Sequence, residues 1–579
     1  MAIFNREFLR SSLRPGIEAV VTGRFEGDMV RFVASDVQLR IHYREGILPV
    51  YRFPGVGDGM FSKWVGGALS GLGPDLEDDI PGFLLRKNNL PSLRGFFEIV
   101  HLPRNAEDIE AATLRIKYED LFRFALKVRC LEKINGQVTV PPKHYDIARV
   151  REFIATLPFE LTPDQKEATN DIFRDLKQPR QMMRLLQGDV GSGKTIVAAL
   201  AALAVITAGE QVAVMAPTEI LARQHQTTFA GLLAPLGVKT AFLSASVKGK
   251  ERETVLSGLR DGSIQLVCGT HSLIQDPIRF RRLGLAVVDE QHRFGVAQRR
   301  ALREKGLSPD VLFMSATPIP RTLAIAMFGD MDVSSIRSMP PGRKPVETRV
   351  WDFSRYDAMV REMRTELEKG RQAYLIVPRI EAAAEGDWAD VGRAQKELRA
   401  ELPERFRIEG LHGRMAGDEK ARILGDFASG EVSVLVSTTV VEVGVNVPNA
   451  SFMAVLDCDR FGLSQLHQLR GRVGRSEDQA HCRFLTDAIL EGENRFKILE
   501  ETTDGFRISE EDLRQRGPGE VFGEEQTGIP RFRMANPITD RALLEIAFAD
   551  ADLTFESRDP VARRLVEATF FAIEETNLD

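Results

Sequence analysis

The chain has 579 residues and a mass of 64.6 kDa, which is too long for one hydrophobic core and, at roughly 100 to 200 residues per domain, predicts three to five domains. Hydrophobic residues make up 43% and charged residues 28%, which excludes a fibrous or disordered chain. The net charge of −6 argues against a polyanionic ligand, but basic residues cluster at 279–282, 293–303 and 470–475. A local basic groove can bind phosphate whatever the average charge, although each cluster is also compatible with a solvated surface.

The cysteines give no sign of a zinc site or a disulfide framework, because they are scattered singly and form no CxxC pair. They are Cys130, Cys268, Cys458 and Cys482. The N-terminus lacks an apolar signal segment, and the longest apolar run, 196–208, is shorter than the roughly 18 residues that a membrane span needs. We therefore expect a soluble, cytoplasmic protein that binds neither membrane nor zinc.

The first part of the chain combines strand-like and helical sequence patterns. The segment VVTGRFEGDMVRFVASDVQLRIHY favours two or three strands with turns, and residues 75–133 favour amphipathic helix. These patterns predict a small β-rich module over residues 1–59 and a helical linker over residues 60–150.

From about residue 158 to 487, short apolar runs alternate with helical stretches. Runs such as QVAVMAPT, LAVVDE, RQAYLIVP and SFMAVLD do not alternate in polarity, which is typical of strands buried on both faces of a parallel sheet. A Pro- and Gly-rich segment at 338–345 indicates a linker between two α/β domains. The predicted domains cover residues 151–345 and 346–487, followed by a helical C-terminal domain over residues 488–579.

A phosphate-binding loop is the strongest motif. The segment RLLQGDVGSGKTIVAALAAL places a GxxxxGKT loop between a predicted strand and a predicted helix. In such a loop the backbone N–H groups and the helix N-terminus bind phosphates, the lysine reaches the β and γ oxygens, and the threonine offers its hydroxyl to Mg²⁺. The predicted nucleotide-binding residues are Gly188, Asp189, Val190, Gly191, Ser192, Gly193, Lys194 and Thr195.

Two adjacent carboxylates end the predicted strand LGLAVVDE. At that end of a parallel sheet, Asp289 is expected to hold Mg²⁺ and Glu290 to orient and deprotonate the attacking water. An acidic pair after a strand is also a common helix N-cap, so the upstream phosphate loop decides in favour of the catalytic interpretation.

The segment QLHQLRGRVGR in the second α/β unit supplies Gln468, Arg472 and Arg475. Arg472 and Arg475 are three residues apart, so on a helix they share a face and could stabilise the charge on the transferring phosphoryl group. A basic helix that contacts DNA is the alternative, and the two roles can coexist.

Gln165, in FELTPDQ, carries an amide suited to an adenine edge, which indicates ATP as the nucleotide. The same stretch could also be an ordinary helix start, with Thr162 as N-cap and Gln165 at N3.

The order GxGKT, DEQH, SAT and QxxGRxGR resembles superfamily 2 helicases and translocases, in which two RecA-like domains close on ATP and move along a strand. The resemblance implies a role in DNA binding or coupling for several residues, although hydroxyls at such positions could merely cap helices. These residues are Thr218, Arg223, Thr270, His292, Ser315, Thr317, Thr438 and Thr439.

Within that superfamily, RLLQGDVGSGKT, VVDEQHRFGVAQR, SATPIPRTLA and RFGLSQLHQLRGRVGR are similar to the RecG family. The C-terminal TTDGFRISEEDLRQRGPGEVFGEEQTG resembles the translocation motif that RecG shares with the transcription-repair coupling factor, a helical hairpin and loop. By position, Arg495 and Gln526 would couple domain closure to DNA movement, whereas a purely structural hairpin is the alternative.

The sequence departs from the family in its N-terminal region. RecG proteins carry an OB-fold wedge of roughly five strands, whereas residues 1–59 allow two or three, so we expect a reduced OB-like module. Smaller departures are Asn446 in place of the usual aspartate and Glu525 in place of a basic residue.

The resemblance implies a helicase that uses ATP and Mg²⁺ to regress stalled forks and move Holliday junctions, acting as a monomer on branched or duplex DNA in a bacterial cytoplasm, associated with the nucleoid. The resemblance does not identify any protein partner. A duplex translocase that displaces proteins without unwinding is the main alternative, and a catalytically silent scaffold or an RNA helicase is disfavoured by the motifs. The primosomal restart helicase is disfavoured because its zinc-binding cysteine array is absent.

Overall fold

The computed structural model describes most of the chain as two compact units. The first contains Met1–Asp120 and Ser557–Leu565, and the second contains Leu121–Glu556 and Val566–Asp579. The described residues are 2–3, 16–26, 31–40, 47, 49–51, 53, 56, 58–71, 76–135, 140–274, 278–289, 309–316, 331–340, 344–378, 386–438, 447–475, 478–491, 495–522, 532–537 and 539–576.

The elements follow the predicted alternation of strands and helices. The strands are β1 (Ala2–Ile3), β2 (Ala19–Glu26), β3 (Arg31–Leu39), β4 (Met183–Gly188), β5 (Gln211–Met215), β6 (Thr240–Leu243), β7 (Leu266–Gly269), β8 (Leu283–Asp289), β9 (Asp310–Ser315), β10 (Asp332–Ile336), β11 (Glu347–Trp351), β12 (Gln372–Ile376), β13 (Ile408–Leu411), β14 (Val434–Ser437), β15 (Ala450–Val455) and β16 (His481–Leu485). The helices are α1 (Asp58–Gly71), α2 (Gly82–Lys87), α3 (Leu93–His101), α4 (Ala106–Asn135), α5 (Ile147–Thr156), α6 (Pro163–Asp175), α7 (Lys194–Thr207), α8 (Glu219–Leu233), α9 (Gly249–Asp261), α10 (Tyr356–Glu368), α11 (Gly386–Glu401), α12 (Gly417–Ala428), α13 (Leu463–Arg470), α14 (Lys497–Glu501), α15 (Gly505–Phe522), α16 (Arg541–Glu556) and α17 (Pro560–Thr576). Within the described ranges, none of the helices is long and apolar enough to cross a bilayer.

The first unit contains a small sheet in the order β1-β3-β2, with β2 and β3 antiparallel. This agrees with the two or three strands expected before residue 60. The helices of the same unit are fixed by Arg115, whose side chain is 2% exposed and lies 2.8 Å from the Asp78 carboxylate. Asp78 also accepts a hydrogen bond from the backbone N–H of Leu93 at 2.6 Å, so the start of α3 and the side of α4 share one buried charge pair.

The second unit contains two parallel sheets, as the sequence predicted. The first has the order β10-β4-β9-β8-β5-β7-β6, and all its strand pairs are parallel. Helix α7 lies in the hydrophobic core that packs against this sheet, and every residue from Val197 to Ile206 is buried. This accounts for a helix that is apolar on all sides.

The second sheet has the order β11-β16-β15-β12-β14-β13 and is also parallel throughout. Its six strands occupy the same relative places as β4, β9, β8, β5, β7 and β6 in the first sheet. The two tandem RecA-like domains are therefore confirmed. The boundaries of the five predicted domains stay a prediction.

A glutamine occupies the first position of the corresponding strand in each sheet, β5 and β12. Gln211 Nε2 donates to the Leu259 carbonyl at 2.9 Å and to the Ile264 carbonyl at 2.7 Å. In the second sheet, Gln372 Nε2 donates to the Phe427 carbonyl at 2.5 Å and to the Val432 carbonyl at 2.8 Å. In both domains the amide thus joins its strand to the end of a later helix and to the segment that leads from that helix into the neighbouring strand.

A buried ion pair anchors the segment before α5 to the first sheet. Lys143 Nζ lies 2.5 Å from Asp310 Oδ2, and the two side chains are 4% and 3% exposed. Burial raises the pKa of Asp310, although the Lys143 charge and the hydrogen bond from Met182 N–H oppose that effect. The pair therefore depends on both charges being present.

We predict that Lys143→Ala lowers the free energy of unfolding by about 3 kcal/mol at neutral pH, because it leaves the Asp310 carboxylate buried without its cation. Without Lys143 the folded-state pKa of Asp310 rises further above its unfolded value, so protonation relieves the deficit and the loss shrinks as the pH falls. Urea denaturation at neutral and acidic pH measures both effects.

The control is Arg180→Ala, which removes the ion pair between Arg180 and Asp332. These two side chains are 55% and 52% exposed, so the loss of the pair should cost less than about 1 kcal/mol. Equal losses from the two variants would contradict the prediction.

Candidate active site

The turn between β4 and α7 forms the phosphate-binding loop. Gly191 and Gly193 have φ angles of 83° and 89°, a left-handed region that side chains rarely adopt. A Cβ on Gly193 would also lie 2.3 Å from Gln165 Nε2. Glycine at this position therefore lets the chain turn sharply into a 14-residue helix, whose N-terminus attracts an anion.

Lys194 is the first residue of α7 and lies over this loop. Its ammonium donates to the carbonyl of Gly188 at 2.7 Å and to the carbonyl of Asp189 at 2.9 Å. An ammonium has three donors and no acceptor, so from this position it can bind phosphate oxygens.

Gln165 contacts the loop from α6. Gln165 Oε1 accepts from the N–H of Thr162 at 2.9 Å, and Thr162 Oγ1 accepts from the N–H of Gln165 at 3.3 Å, which forms a capping box. Gln165 Nε2 donates to the Ser192 carbonyl at 2.8 Å. The helix-start interpretation is confirmed, and a role in adenine recognition stays a prediction.

The carboxylate expected to serve Mg²⁺ lies on the same edge of the sheet. Asp289 ends β8, which is separated from β4 by β9 alone, so roughly 10 Å separates the ends of β8 and β4. Ser315, the end of β9, is 3% exposed and pairs in register with Gln187. The Thr195 hydroxyl and the Asp289 carboxylate are oxygen donors of the kind that Mg²⁺ prefers, so the donor set fits this ion.

A histidine that the sequence analysis missed holds the Asp289 carboxylate. His225 Nε2 lies 2.7 Å from Asp289 Oδ2, and the two side chains are 11% and 18% exposed. His225 belongs to α8, the helix that begins after Thr218. A side-chain contact therefore joins the carboxylate expected to hold Mg²⁺ to the helix with the expected DNA-binding residues.

The second RecA-like domain reaches the phosphate loop through α13. His467 Nε2 lies 2.9 Å from Asp189 Oδ1, and Arg470 Nη2 lies 2.8 Å from His467 Nδ1. Because a guanidinium only donates, Nδ1 is the acceptor and Nε2 carries the proton that Asp189 accepts. Burial by itself would raise the pKa of Asp189, but hydrogen bonds from His467 and Gly505 and the charge of Lys194 outweigh it and lower the pKa.

The expectation that Arg472 and Arg475 share a helical face is wrong. Helix α13 ends at Arg470, and the chain continues as a turn in which Gly474 has a φ angle of 73°. This turn packs on the phosphate loop, because a Cβ on Gly471 would lie 2.9 Å from the Val190 Cβ. Arg472 is 8% exposed and follows directly. Gln468, on α13, is half-buried, and its catalytic role stays a prediction.

Comparisons with known proteins agree with this geometry. A DEAD/DEAH box helicase family model matches residues 162–325, and a helicase conserved C-terminal domain model matches residues 354–477. The chain is 43% identical over 578 residues to the ATP-dependent DNA helicase RecG of Staphylococcus aureus, which covers 98% of this chain and 82% of that protein. The RecG of Staphylococcus epidermidis is 42% identical over 586 residues, with 99% and 83% covered.

The chain belongs to the RecG family of ATP-dependent DNA helicases. A solved structure of RecG bound to a three-way DNA junction agrees, with a TM-score of 0.72, 36% identity, and coverage of 94% of this chain and 73% of that one. The resemblance drawn from the motifs is therefore confirmed, and so are ATP-dependent helicase activity and DNA as the substrate.

In this RecG-family helicase, the expected DNA-binding residues follow neighbouring strands. Thr218 follows β5 and caps α8, accepting from the N–H of Leu221 at 3.4 Å. Thr270 follows β7, and its hydroxyl lies 3.0 Å from that of Ser272. Arg223 is exposed, and its guanidinium lies 4.1 Å from the centre of the Phe242 ring. Because β5 and β7 are adjacent and parallel, these residues occupy one edge of the sheet.

Other expected residues are less accessible or lie outside the described residues. Thr438 is 1% exposed. Arg495 Nη2 donates to the Asp459 carbonyl, and its guanidinium lies 4.6 Å from the centre of the Phe496 ring. The expected residues outside the described part are Glu290, His292, Thr317, Thr439 and Gln526, together with the departures Asn446 and Glu525. Their roles stay predictions.

We predict that His225→Ala lowers DNA-stimulated ATP turnover about tenfold and raises the Mg²⁺ concentration for half-maximal turnover, because the Asp289 carboxylate loses the side chain that orients it. Turnover measured across a Mg²⁺ titration tests both effects. The matched control is His144→Ala, which removes an exposed histidine and should leave both values unchanged. A wild-type Mg²⁺ profile in the His225 variant would contradict this assignment.

Proposed function

We propose that this RecG-family helicase uses ATP and Mg²⁺ to remodel branched DNA, including stalled replication forks and Holliday junctions, in recombination and repair. The observation that supports it most is the packing of the turn after α13 against the phosphate loop, through Gly471 and Val190. Because this turn carries Arg472 and Arg475, arginines of the second domain can act on a nucleotide bound by the first. The RecG structure on a three-way junction supports branched DNA as the substrate.

In this proposal the loop amides and Lys194 hold the β and γ phosphates of ATP, and Gln165 lies at the adenine side. Thr195 and Asp289 would hold Mg²⁺, which would supply positive charge to offset that of the phosphates. The loop thus fixes the leaving group before hydrolysis.

Glu290 is proposed to orient the attacking water and accept its proton. Arg472 and Arg475, which lie in the turn after α13, are proposed to stabilise the charge that spreads over the γ-phosphoryl oxygens, and Gln468, on α13, to assist them. Because the acid–base group and the arginines belong to different domains, hydrolysis requires both domains to be in place.

Movement on DNA follows from the same arrangement. Thr218, Arg223 and Thr270 are proposed to contact backbone phosphates, which positions DNA without reading its sequence. Thr438 and Thr439 are proposed to line the same DNA groove. Ser315, Thr317 and His292 are proposed to link these contacts to the nucleotide, and Arg495 and Gln526 to transmit domain closure to duplex DNA.

We further propose that residues 1–59 form a reduced OB-like wedge and residues 60–150 a linker, followed by motor domains over 151–345 and 346–487 and a translocation-motif domain over 488–579. The end of β10 at Ile336 and the start of β11 at Glu347 support the division between the motor domains. The bacterial relatives support action in the bacterial cytoplasm on nucleoid DNA, and we propose a monomer on each junction.

Lys194→Ala is expected to reduce ATP turnover to background while leaving junction binding within about twofold of wild type, because the phosphate loop follows β4 whereas the proposed DNA-binding residues follow β5 and β7, with β9 and β8 between them. A phosphate-release assay and a gel-shift titration with a synthetic three-way junction measure the two properties. Loss of junction binding with normal turnover would reverse the assignment of the two surfaces.

A duplex translocase that displaces bound proteins without unwinding is the second candidate, because the described N-terminal residues form three strands rather than the roughly five of an OB barrel. Unwinding of a synthetic fork separates the two. We expect the full chain to release a labelled strand from a fork in an ATP-dependent reaction, with Lys194→Ala as the inactive control. Displacement of a duplex-bound protein with no strand release would favour the second candidate.

A further inference from the structure

Asp189 belongs to the phosphate loop, but its side chain is directed into the second half of the chain. Its carboxylate is 9% exposed. Oδ1 accepts a hydrogen bond from His467 Nε2 at 2.9 Å, and Oδ2 accepts one from the backbone N–H of Gly505 at 3.1 Å. Each oxygen therefore contacts a different helix, α13 through His467 and the first residue of α15 through Gly505.

We propose that Asp189 is a positioning residue that fixes α13 and α15 against the phosphate loop. Through it, the nucleotide-binding loop sets the place of the arginines that follow α13 and of the helix that opens the C-terminal translocation motif. The inference rests on the proposed roles of Arg472 and Arg475, and it adds a direct contact between the loop and both helices.

Helices α13 and α15 form one unit, so a single carboxylate is enough to position both. Asp512, on α15, is 3% exposed. Its Oδ1 accepts from the N–H of Leu463 at 3.0 Å, and its Oδ2 accepts from the N–H of Ser464 at 2.9 Å. The Asp512 side chain thus caps the first turn of α13, where helix N–H groups otherwise lack partners.

The other end of α13 is tied to the segment that leads into α15. Arg470, which is 2% exposed, donates through Nη1 to the carbonyls of Leu499 at 2.6 Å and Thr502 at 3.0 Å. Through Nη2 it donates to His467 Nδ1. A continuous chain of hydrogen bonds therefore runs from Thr502 through Arg470 and His467 to Asp189.

The start of α15 approaches the loop so closely that it requires glycine. A Cβ on Gly505 would lie 1.9 Å from Asp189 Oδ1 and 2.5 Å from His467 Nε2. The next residue, Phe506, makes a second contact with the first domain, because the Arg337 guanidinium lies 4.3 Å from the centre of its ring. Two adjacent residues of α15 thus contact the first domain, one at the phosphate loop and one after β10.

A positioning role and a nucleotide-binding role for Asp189 predict different kinetics. If the side chain serves ATP affinity, its loss raises KM for ATP. If it positions groups that act on the transition state, its loss lowers kcat and leaves KM close to wild type. The contacts of both carboxylate oxygens with α13 and α15 favour the second outcome.

The test uses the full chain with saturating three-way junction DNA and compares wild type, Asp189→Asn, His467→Asn and the double variant. Asparagine at 467 keeps an acceptor near the position of Nδ1 for Arg470 but cannot reach Asp189. The control is Asp261→Asn, an exposed carboxylate that accepts from the N–H of Ser263 at 2.7 Å at the end of α9. Measured quantities are kcat and KM for ATP, base pairs unwound per ATP, and the Kd of a fluorescent ATP analogue.

We expect each single variant to lower kcat about tenfold, with KM and the analogue Kd within about twofold of wild type. The double variant should be no slower than the slower single variant, because both changes remove the same contact. Base pairs unwound per ATP should fall as well, since α15 begins the translocation motif, and Asp261→Asn should match wild type.

Three results would overturn the inference: unchanged kcat and coupling in Asp189→Asn, a raised KM and analogue Kd with normal kcat, or single effects that multiply in the double variant. The analogue Kd shows that each variant retains a folded nucleotide site. A wild-type protein without DNA-stimulated turnover would instead refute the proposed function itself, so the two failures are distinguishable.

Discussion

The arrangement of the two motor domains depends on the hydrogen bonds that the Asp189 carboxylate accepts. Its backbone belongs to the loop that binds phosphates, and its two oxygens accept hydrogen bonds from α13 and α15. Charge-assisted hydrogen bonds to a buried carboxylate are shorter and stronger than neutral ones, and leaving such a group without donors is costly. Any rearrangement that separates the domains must therefore rehydrate or re-pair this group.

The fold could be predicted from the sequence largely because its signals are local. Apolar runs such as LGLAVVD form strands of a parallel sheet. A strand that is buried on both faces is apolar along its whole length, so the run can be recognised in the sequence. The phosphate loop is equally local: Gly193 must adopt a left-handed conformation beside Gln165, and few sequences other than a glycine-rich loop satisfy that condition.

The parts that the sequence did not reveal are contacts between distant segments. His225 and Asp289 are separated by 64 residues and His467 and Asp189 by 278, and periodicity carries no information about such partners. The helical placement of Arg472 and Arg475 is wrong for a local reason, because α13 ends at Arg470 before Gly471, and Gly474, with its left-handed backbone, lies between the two arginines. The two glycines of GRVGR carry this signal, which outweighs the three-residue spacing of the arginines. The capping role of Gln165 also needed the structure, which shows its amide shared between Thr162 and Ser192, and adenine recognition by the same residue stays a prediction.

The matching glutamines Gln211 and Gln372 indicate how such a motor arose. Each begins the second strand of its domain in chain order and bonds the carbonyls of equivalent neighbours, and the flanking strands follow the same order. Two unrelated halves have no reason to share this detail, so it points to duplication of one ancestral gene segment. The copies then diverged in chemistry: where β4 ends in Gly188 and opens a phosphate loop, the corresponding β11 ends in Trp351. The second copy therefore has no phosphate loop after β11, and in the proposed mechanism it contributes residues to the nucleotide held by the first.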